Sequence, residues 1–493
     1  MKQQMSKDKI KDLVSRTVSR RRFVQGTFGS AALAGLTLAG CSSNNNNSTS
    51  NKPAANTAAT QAATKAASQP SATVASGTTA PAAGSTAAAG VGAPAIIKGS
   101  KLSFLGGTYF VPEGETTFKQ LLSDWGKQNG VETSYDATNW PDLQPKIAAN
   151  IQSGSGPDLM GFFWFWPSLY ANNIVDLSDI AGDLERRWGG FSDAAKAAAV
   201  VKGKYLSVPL GAPTNAFVYR VSYLQKAGAT KFPDTWDDLF KLGSALKKQG
   251  KPIGQSLGHS LGDPLAVIYP FMYSYGATEV QEDGKTPGFN TPEFTDALQK
   301  FVQAWKDGFD DTGLSWDDSS NNKAYLADQL SITNNGSSIY LAALKDQPDI
   351  AKDTDHAVNP AGPKGRFSTY QTQEMAILSY SKNQAAAKEF LKYFFSDAVY
   401  TKWYQSQKGY HVPPTKGKFL DDSVFTSDPK LKAFLDQAKI LRLPGYAAPP
   451  GPAVANSMAN YVIVDLFAKA VQTGNAKQAI ADAVEQVKKY YSA

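Results

Sequence analysis

The chain has little of what metal and thiol chemistry needs. It has one cysteine and three histidines in 493 residues. A single thiol forms no internal disulfide and no structural metal site. The histidines form no His/Cys cluster and no HExxH motif. Gly154 and Gly156 are followed by Pro157, so they make no dinucleotide loop. No cofactor and no metal is expected. No run of 18 apolar residues occurs, so the body is expected to be soluble rather than membrane-spanning. Apolar content of 42% and charged content of 19% suit a globular protein, and 493 residues call for two or more lobes.

An excess of one charge is also nearly absent once its position is considered. The net charge is +7, but residues 1–40 hold eight basic side chains against Asp8 and Asp12. Without that segment the net charge is about +1, so a nucleic-acid partner is not expected. The segment itself reads as a signal. Ser19-Arg20-Arg21-Arg22-Phe23-Val24 resembles a twin-arginine export motif, and a mild apolar run from Phe28 to Gly40 follows. Leu38-Ala39-Gly40-Cys41 resembles a lipobox, which makes Cys41 the expected lipidation site and the expected anchor to the membrane. Residues 41–97 continue as a tract of Asn, Ser, Thr, Ala, Pro and Gly that cannot bury enough surface to offset its ordering entropy. It is expected to act as a flexible tether with a reach of roughly 40 Å.

What is present begins near Lys98. Strand patterns at 101–105, 131–135 and 158–163 alternate with helical spacing at 115–129 and from Pro141 to Ser153. Further helices are expected at 234–249, 293–307, 322–330, 384–407 and 454–492. This alternation predicts an α/β fold with mainly parallel sheets flanked by helices. Ligands of such sheets gather beyond the C-terminal ends of the strands. Thr108 and Tyr109, Asn139, and the FFWFW run at 162–166 all lie past strand ends. Three such turns predict one mouth. Phe162 and Phe163 are expected to end a buried strand, while Trp164 and Trp166 are the expected aromatic plates.

Several segments, in order, resemble family 1 extracellular solute-binding proteins, the receptors of bacterial ABC sugar importers. They include Ile147-Ala148-Ala149-Asn150-Ile151-Gln152-Ser153-Gly154-Ser155-Gly156-Pro157-Asp158-Leu159 and Gly203-Lys204-Tyr205-Leu206-Ser207-Val208-Pro209. Lys226-Ala227-Gly228 with Phe232-Pro233-Asp234-Thr235-Trp236-Asp237-Asp238-Leu239 continues the match, as does Ala385-Ala386-Ala387-Lys388-Glu389-Phe390-Leu391. Arg220 departs from the Asn that many members have there. The resemblance implies a two-lobed periplasmic-binding-protein fold of type II with a hinge, the first lobe at 98–215 plus 360–405 and the second at 216–359 plus 406–493. It implies a monomer on the extracytoplasmic face of the cell membrane that captures a carbohydrate and delivers it to ABC permease subunits.

Sugars present an apolar C–H face and a rim of hydroxyls, so a cleft needs aromatic plates with amide, carboxyl and hydroxyl partners. The expected second-lobe contacts are His259, Asp263, Asn334, Asn335, Ser338 and Tyr340, with Tyr370, Gln371 and Tyr410 near the hinge. The same fold can instead serve a polyamine or glycerol phosphate. A secreted glycosidase would need paired acids. Asp310, Asp311, Asp317 and Asp318 are candidates by type, but Asp317-Asp318-Ser319 reads better as a turn and cap before a helix. No catalytic residue is expected.

Overall fold

Alternating strand and helix signals resolve into two sheets in a computed structural model that describes residue 96, residues 98–420 and residues 423–492. The signal segment, Cys41 and all of the tether except residue 96 lie outside that set. In chain order the strands are β1 (Lys101–Gly107), β2 (Glu132–Thr138), β3 (Leu159–Phe163), β4 (Val200–Val201), β5 (Lys204–Tyr205), β6 (Val208–Pro213), β7 (Ala216–Arg220), β8 (Ile253–Gly254), β9 (Ile332–Asn335), β10 (Thr354–Ala357), β11 (Gln373–Ile377) and β12 (His411–Val412). The first sheet has the order β12-β6-β11-β3-β1-β2 and the second β10-β7-β9-β8; β4 and β5 form a separate hairpin.

The first three strands follow the sequence logic. β1 runs parallel to β2 and β3, and helices bridge them because a parallel return needs a crossover. The helix Pro112–Asn129 opens with proline in its first turn and closes at Gly130, whose φ of 66° is left-handed. It buries Phe118, Leu121, Leu122 and Trp125, each such side chain contributing about 1.5–3 kcal/mol relative to exposure. All five residues of β3 are buried, as expected of an inner strand covered on both faces.

The expectation of mainly parallel sheets is corrected by the pairing. Three strand pairs in the two sheets are parallel, β1–β2, β1–β3 and β8–β9. Five are antiparallel. The cause is the crossing between sheets. Only Thr214 and Asn215 separate β6 in the first sheet from β7 in the second. The chain re-enters the first sheet as β11, which lies between β3 and β6 and antiparallel to both. β12 then pairs with β6, so residues 411–412 extend the first sheet although 406–493 were expected in the second lobe.

Helix ends follow local chemistry. Thr235 caps the helix Trp236–Lys248 through the Asp238 N–H, and Thr291 caps Pro292–Gly308 through the Phe294 N–H. The helix expected at 322–330 occupies Ser320–Leu326. Two long helical expectations are broken. Residues 384–407 form Gln384–Phe394 and Asp397–Ser406. Residues 454–492 form Pro452–Ala459, Val462–Thr473 and Ala476–Tyr491. The breaks fall at Tyr461 and Gly474, both at positive φ, and Asn475 caps the last helix. Among the described residues no helix is long and apolar enough to cross a membrane.

Candidate functional site

Two neighbouring cavities share Phe110, Trp140, Gln373 and Tyr410 as walls. They lie where the turn after β1, the start of the helix Trp140–Ser153 and the crossing segments meet. Each has a volume of about 20 Å³, little more than one water needs.

Trp140 is the principal plate. It is the first residue of its helix, with Pro141 in the first turn. Its indole N–H donates to the Thr108 carbonyl at 3.1 Å, and its ring sits 4.9 Å from that of Phe163 at 37°. Gly107 makes this possible, since a Cβ there would fall 2.1 Å from the indole. Tyr410 forms a facing wall, its ring 6.4 Å from Phe110. Gly336 leaves it room, because a Cβ would sit 2.6 Å from the Tyr410 ring. His411 follows, buried between the side-chain amides of Gln407 and Gln373 with oxygens at 3.1 and 3.0 Å, to only one of which a neutral ring donates. Burial pushes its pKa down to about 3, so the ring is neutral.

The other side is amide and carboxyl. Asp263 opens the helix Asp263–Ser274 and is buried. Its Oδ1 accepts from Asn215 Nδ2 at 2.8 Å; its Oδ2 accepts from Asn321 Nδ2 at 2.8 Å and Asn335 Nδ2 at 2.9 Å. Asn215 lies in the crossing segment and in turn accepts from Gln371 Nε2 at 2.9 Å. Asp318 Oδ1 accepts from the Asp263 N–H and from Ser260 Oγ, both at 2.8 Å. Burial raises both carboxyls, and the neighbouring negative charge raises them further.

The expected site residues divide into two groups. Thr108, Tyr109, Asp263, Asn335, Gln371 and Tyr410 line the cavities. The others line neither. Trp164 and Trp166, the expected plates, are each 1% exposed. Trp164 takes a left-handed φ of 53°, and this tight turn places it against the Leu261 carbonyl, at 3.1 Å. Trp166 lies against Phe162 and Phe163. Phe162 and Phe163 are buried as expected, yet both also line the cavities. Asn139 is exposed and makes no side-chain cap. His259 is exposed, bonded to Asp465 at 2.7 Å and stacked on Tyr461 at 4.3 Å. Asn334 bonds Asn359, Ser338 bonds Asn335, Tyr340 bonds Asp428, and Tyr370 bonds the Pro413 carbonyl.

Trp140, Phe110, Asn215, Gln373 and Asp318 also line the cavities and are absent from the expected set. Trp140 could have been found, since it too lies just past a strand end. Asp318 stands in the turn that Asp317 builds with Ser319 and Ser320, and its sequence context shows only that turn. Among the described residues no three His, Cys, Asp or Glu side chains are grouped to hold a metal.

Comparisons with known proteins agree with this architecture. A binding protein of Brucella abortus is 24% identical over 299 residues, 59% of this chain and 71% of that one. The diacetylchitobiose binding protein of Streptomyces coelicolor is 24% identical over 301 residues, 56% of this chain and 65% of that one. An ABC transporter solute binding protein from Thermotoga lettingae, solved with α-D-tagatose, superposes with a TM-score of 0.69 at 19% identity, over 80% of this chain and all of that one. The two-lobed fold with a hinge is therefore that of periplasmic binding proteins. The family model described as bacterial extracellular solute-binding protein matches residues 111–401, more than half of the sequence, and the chain belongs to that family.

Proposed function

We propose that this protein captures a carbohydrate between its lobes and delivers it to the permease of an ABC importer. The observation that carries the reading is the pairing of an aromatic plate, Trp140, with the amides of Asn215, Asn335, Gln371 and Gln373 around one cavity. A ring face suits the C–H surface of a sugar and the amides suit its hydroxyls. Two of the compared proteins bear on the choice of ligand, one named for diacetylchitobiose and one solved with α-D-tagatose. A glycerol phosphate is opposed by Asp263 and Asp318, which face the cavity without a basic residue beside them.

Ligand sites are usually about 300–1,000 Å³, far above the roughly 20 Å³ of each cavity here. Entry therefore requires the lobes to part about the crossing segments, with closure following. We assign 98–215, 360–405 and the strand at 411–412 to the first lobe, and 216–359 with the remaining C-terminal residues to the second. Export with lipidation at Cys41 would hold this monomeric receptor beside its permease. Its chemistry is reversible capture, with no catalytic step.

Thermal unfolding against a panel of mono- and oligosaccharides, polyamines and glycerol phosphate tests the reading. Ligand at 100 times its Kd stabilises by about 2.7 kcal/mol, which raises Tm by a few degrees in a protein of this size. A shift with a saccharide supports the proposal. A shift only with a polyamine or glycerol phosphate overturns it, and release of product from an oligosaccharide would make the protein a glycosidase.

A further inference from the structure

The cavity bounded by the crossing segments has an unbalanced charge. Asp263 and Asp318 both line it, and no Lys, Arg or His does. Asp263 receives three side-chain amide N–H groups, and Asp318 receives a hydroxyl and a backbone N–H. All of these donors are neutral. They solvate the carboxyls but supply no countercharge, and neither carboxyl forms an ion pair among the described residues. Asp263 is buried and Asp318 half-buried, and such an arrangement is costly unless a cation completes the site or a proton neutralises an acid.

A second, independent feature points into the same space. Tyr410 lines the cavity, is 8% exposed, and its hydroxyl has no hydrogen-bond partner among the described residues. A phenol oxygen accepts a hydrogen bond as readily as it donates one. The rings of Trp140, Phe163 and Phe110 border the space too, and aromatic faces attract cations. Carboxyls, a free phenol and ring faces together match an ammonium group, which offers three N–H donors and a positive charge. A hydroxyl or an N-acetyl group offers the donor without the charge.

We infer that the carbohydrate captured by this protein carries a protonated amino group, held by Asp263, Asp318 and Tyr410 against the aromatic walls. This rests on the carbohydrate reading and narrows it to amino sugars. The burial that raises both acids in the empty cleft is then offset by the ligand's charge when the lobes close.

Calorimetric titration of the full-length protein tests the inference with four probes: the free diamine of chitobiose, its di-N-acetyl form, putrescine and calcium ion. The free diamine should bind at least about 10-fold tighter than the acetylated sugar, with a preference that weakens in salt. Asp318→Asn should abolish the preference. Tyr410→Phe, which removes only the hydroxyl, should reduce it while unfolding as the parent does, and it serves if Asp318→Asn does not fold. Equal or tighter binding of the acetylated sugar overturns the inference and leaves the carbohydrate reading standing. Putrescine binding without any saccharide binding supports the cation subsite and overturns the carbohydrate reading. Calcium binding without amine binding, or no binding of any amine, overturns the inference.

Discussion

The Trp164 indole N–H donates to the Leu261 carbonyl at 3.1 Å. Trp164 directly follows β3 of the first sheet, and Leu261 stands between β8 of the second sheet and the helix Asp263–Ser274. One hydrogen bond thus spans from one sheet to the segment that opens the opposite wall of the cleft. Trp164→Phe removes the donor and part of the ring volume at a buried site, at a cost of at least about 1 kcal/mol to the closed arrangement. Small-angle scattering of the unliganded variant should show a larger radius of gyration, and affinity should fall about 3- to 10-fold. An unchanged radius and affinity would show that the bond does not bias closure.

Trp140→Ala should weaken ligand binding by about 10- to 100-fold, as expected for an aromatic anchor that the ligand covers. Gly107→Ala should have a similar effect, because its Cβ would fall 2.1 Å from the Trp140 indole and displace the plate. Titration of both variants checks this. Full affinity in Trp140→Ala would remove the plate from the site.

Two histidines set an acid limit. Burial lowers His356 to about 4 and His411 to about 3, below the ordinary 6.5. The unfolded chain therefore takes up protons first as pH falls. The contribution to stability is complete above pH 6.5 and is lost progressively below it, through about 4 and 3, with roughly 3 kcal/mol at stake for His356. Urea unfolding between pH 7 and 4 should show a slope that His411→Gln makes shallower.

Glu374 acts in the opposite sense. It is 1% exposed on β11, and neither carboxyl oxygen has a hydrogen-bond partner among the described residues. Burial raises its pKa well above the ordinary 4.5, so the folded protein retains a proton that the unfolded chain releases. Its stabilising effect is complete below about pH 4.5 and is lost as pH rises. Glu374→Gln should raise Tm, and by more at pH 8 than at pH 5. An equal gain at both would mean that no proton is linked to folding there.

Much of the fold was legible because its signals are local. Thr235 and Thr291 announce helices through their own caps, and Phe118, Leu121, Leu122 and Trp125 repeat at helical spacing. The order of motifs along the chain also pointed to the family. The antiparallel pairing of β11 was not legible, because a strand's direction depends on where the chain has been before it returns. The break at Tyr461 was hidden for a related reason, since continuous apolar spacing does not reveal a turn made by one residue's φ.

The candidate site divides along the same line. The strand–helix alternation and the order of motifs carried the two-lobed class, and the expectation that strand ends face the mouth led to Thr108, Tyr109, Asp263, Asn335, Gln371 and Tyr410, which line the cavities. Which aromatics border the cavities depends on tertiary structure. At Trp164 a left-handed turn sends the indole toward Leu261, while Gly107 opens the space that Trp140 fills. Both outcomes depend on backbone direction and on neighbours distant in sequence, and residue spacing encodes neither.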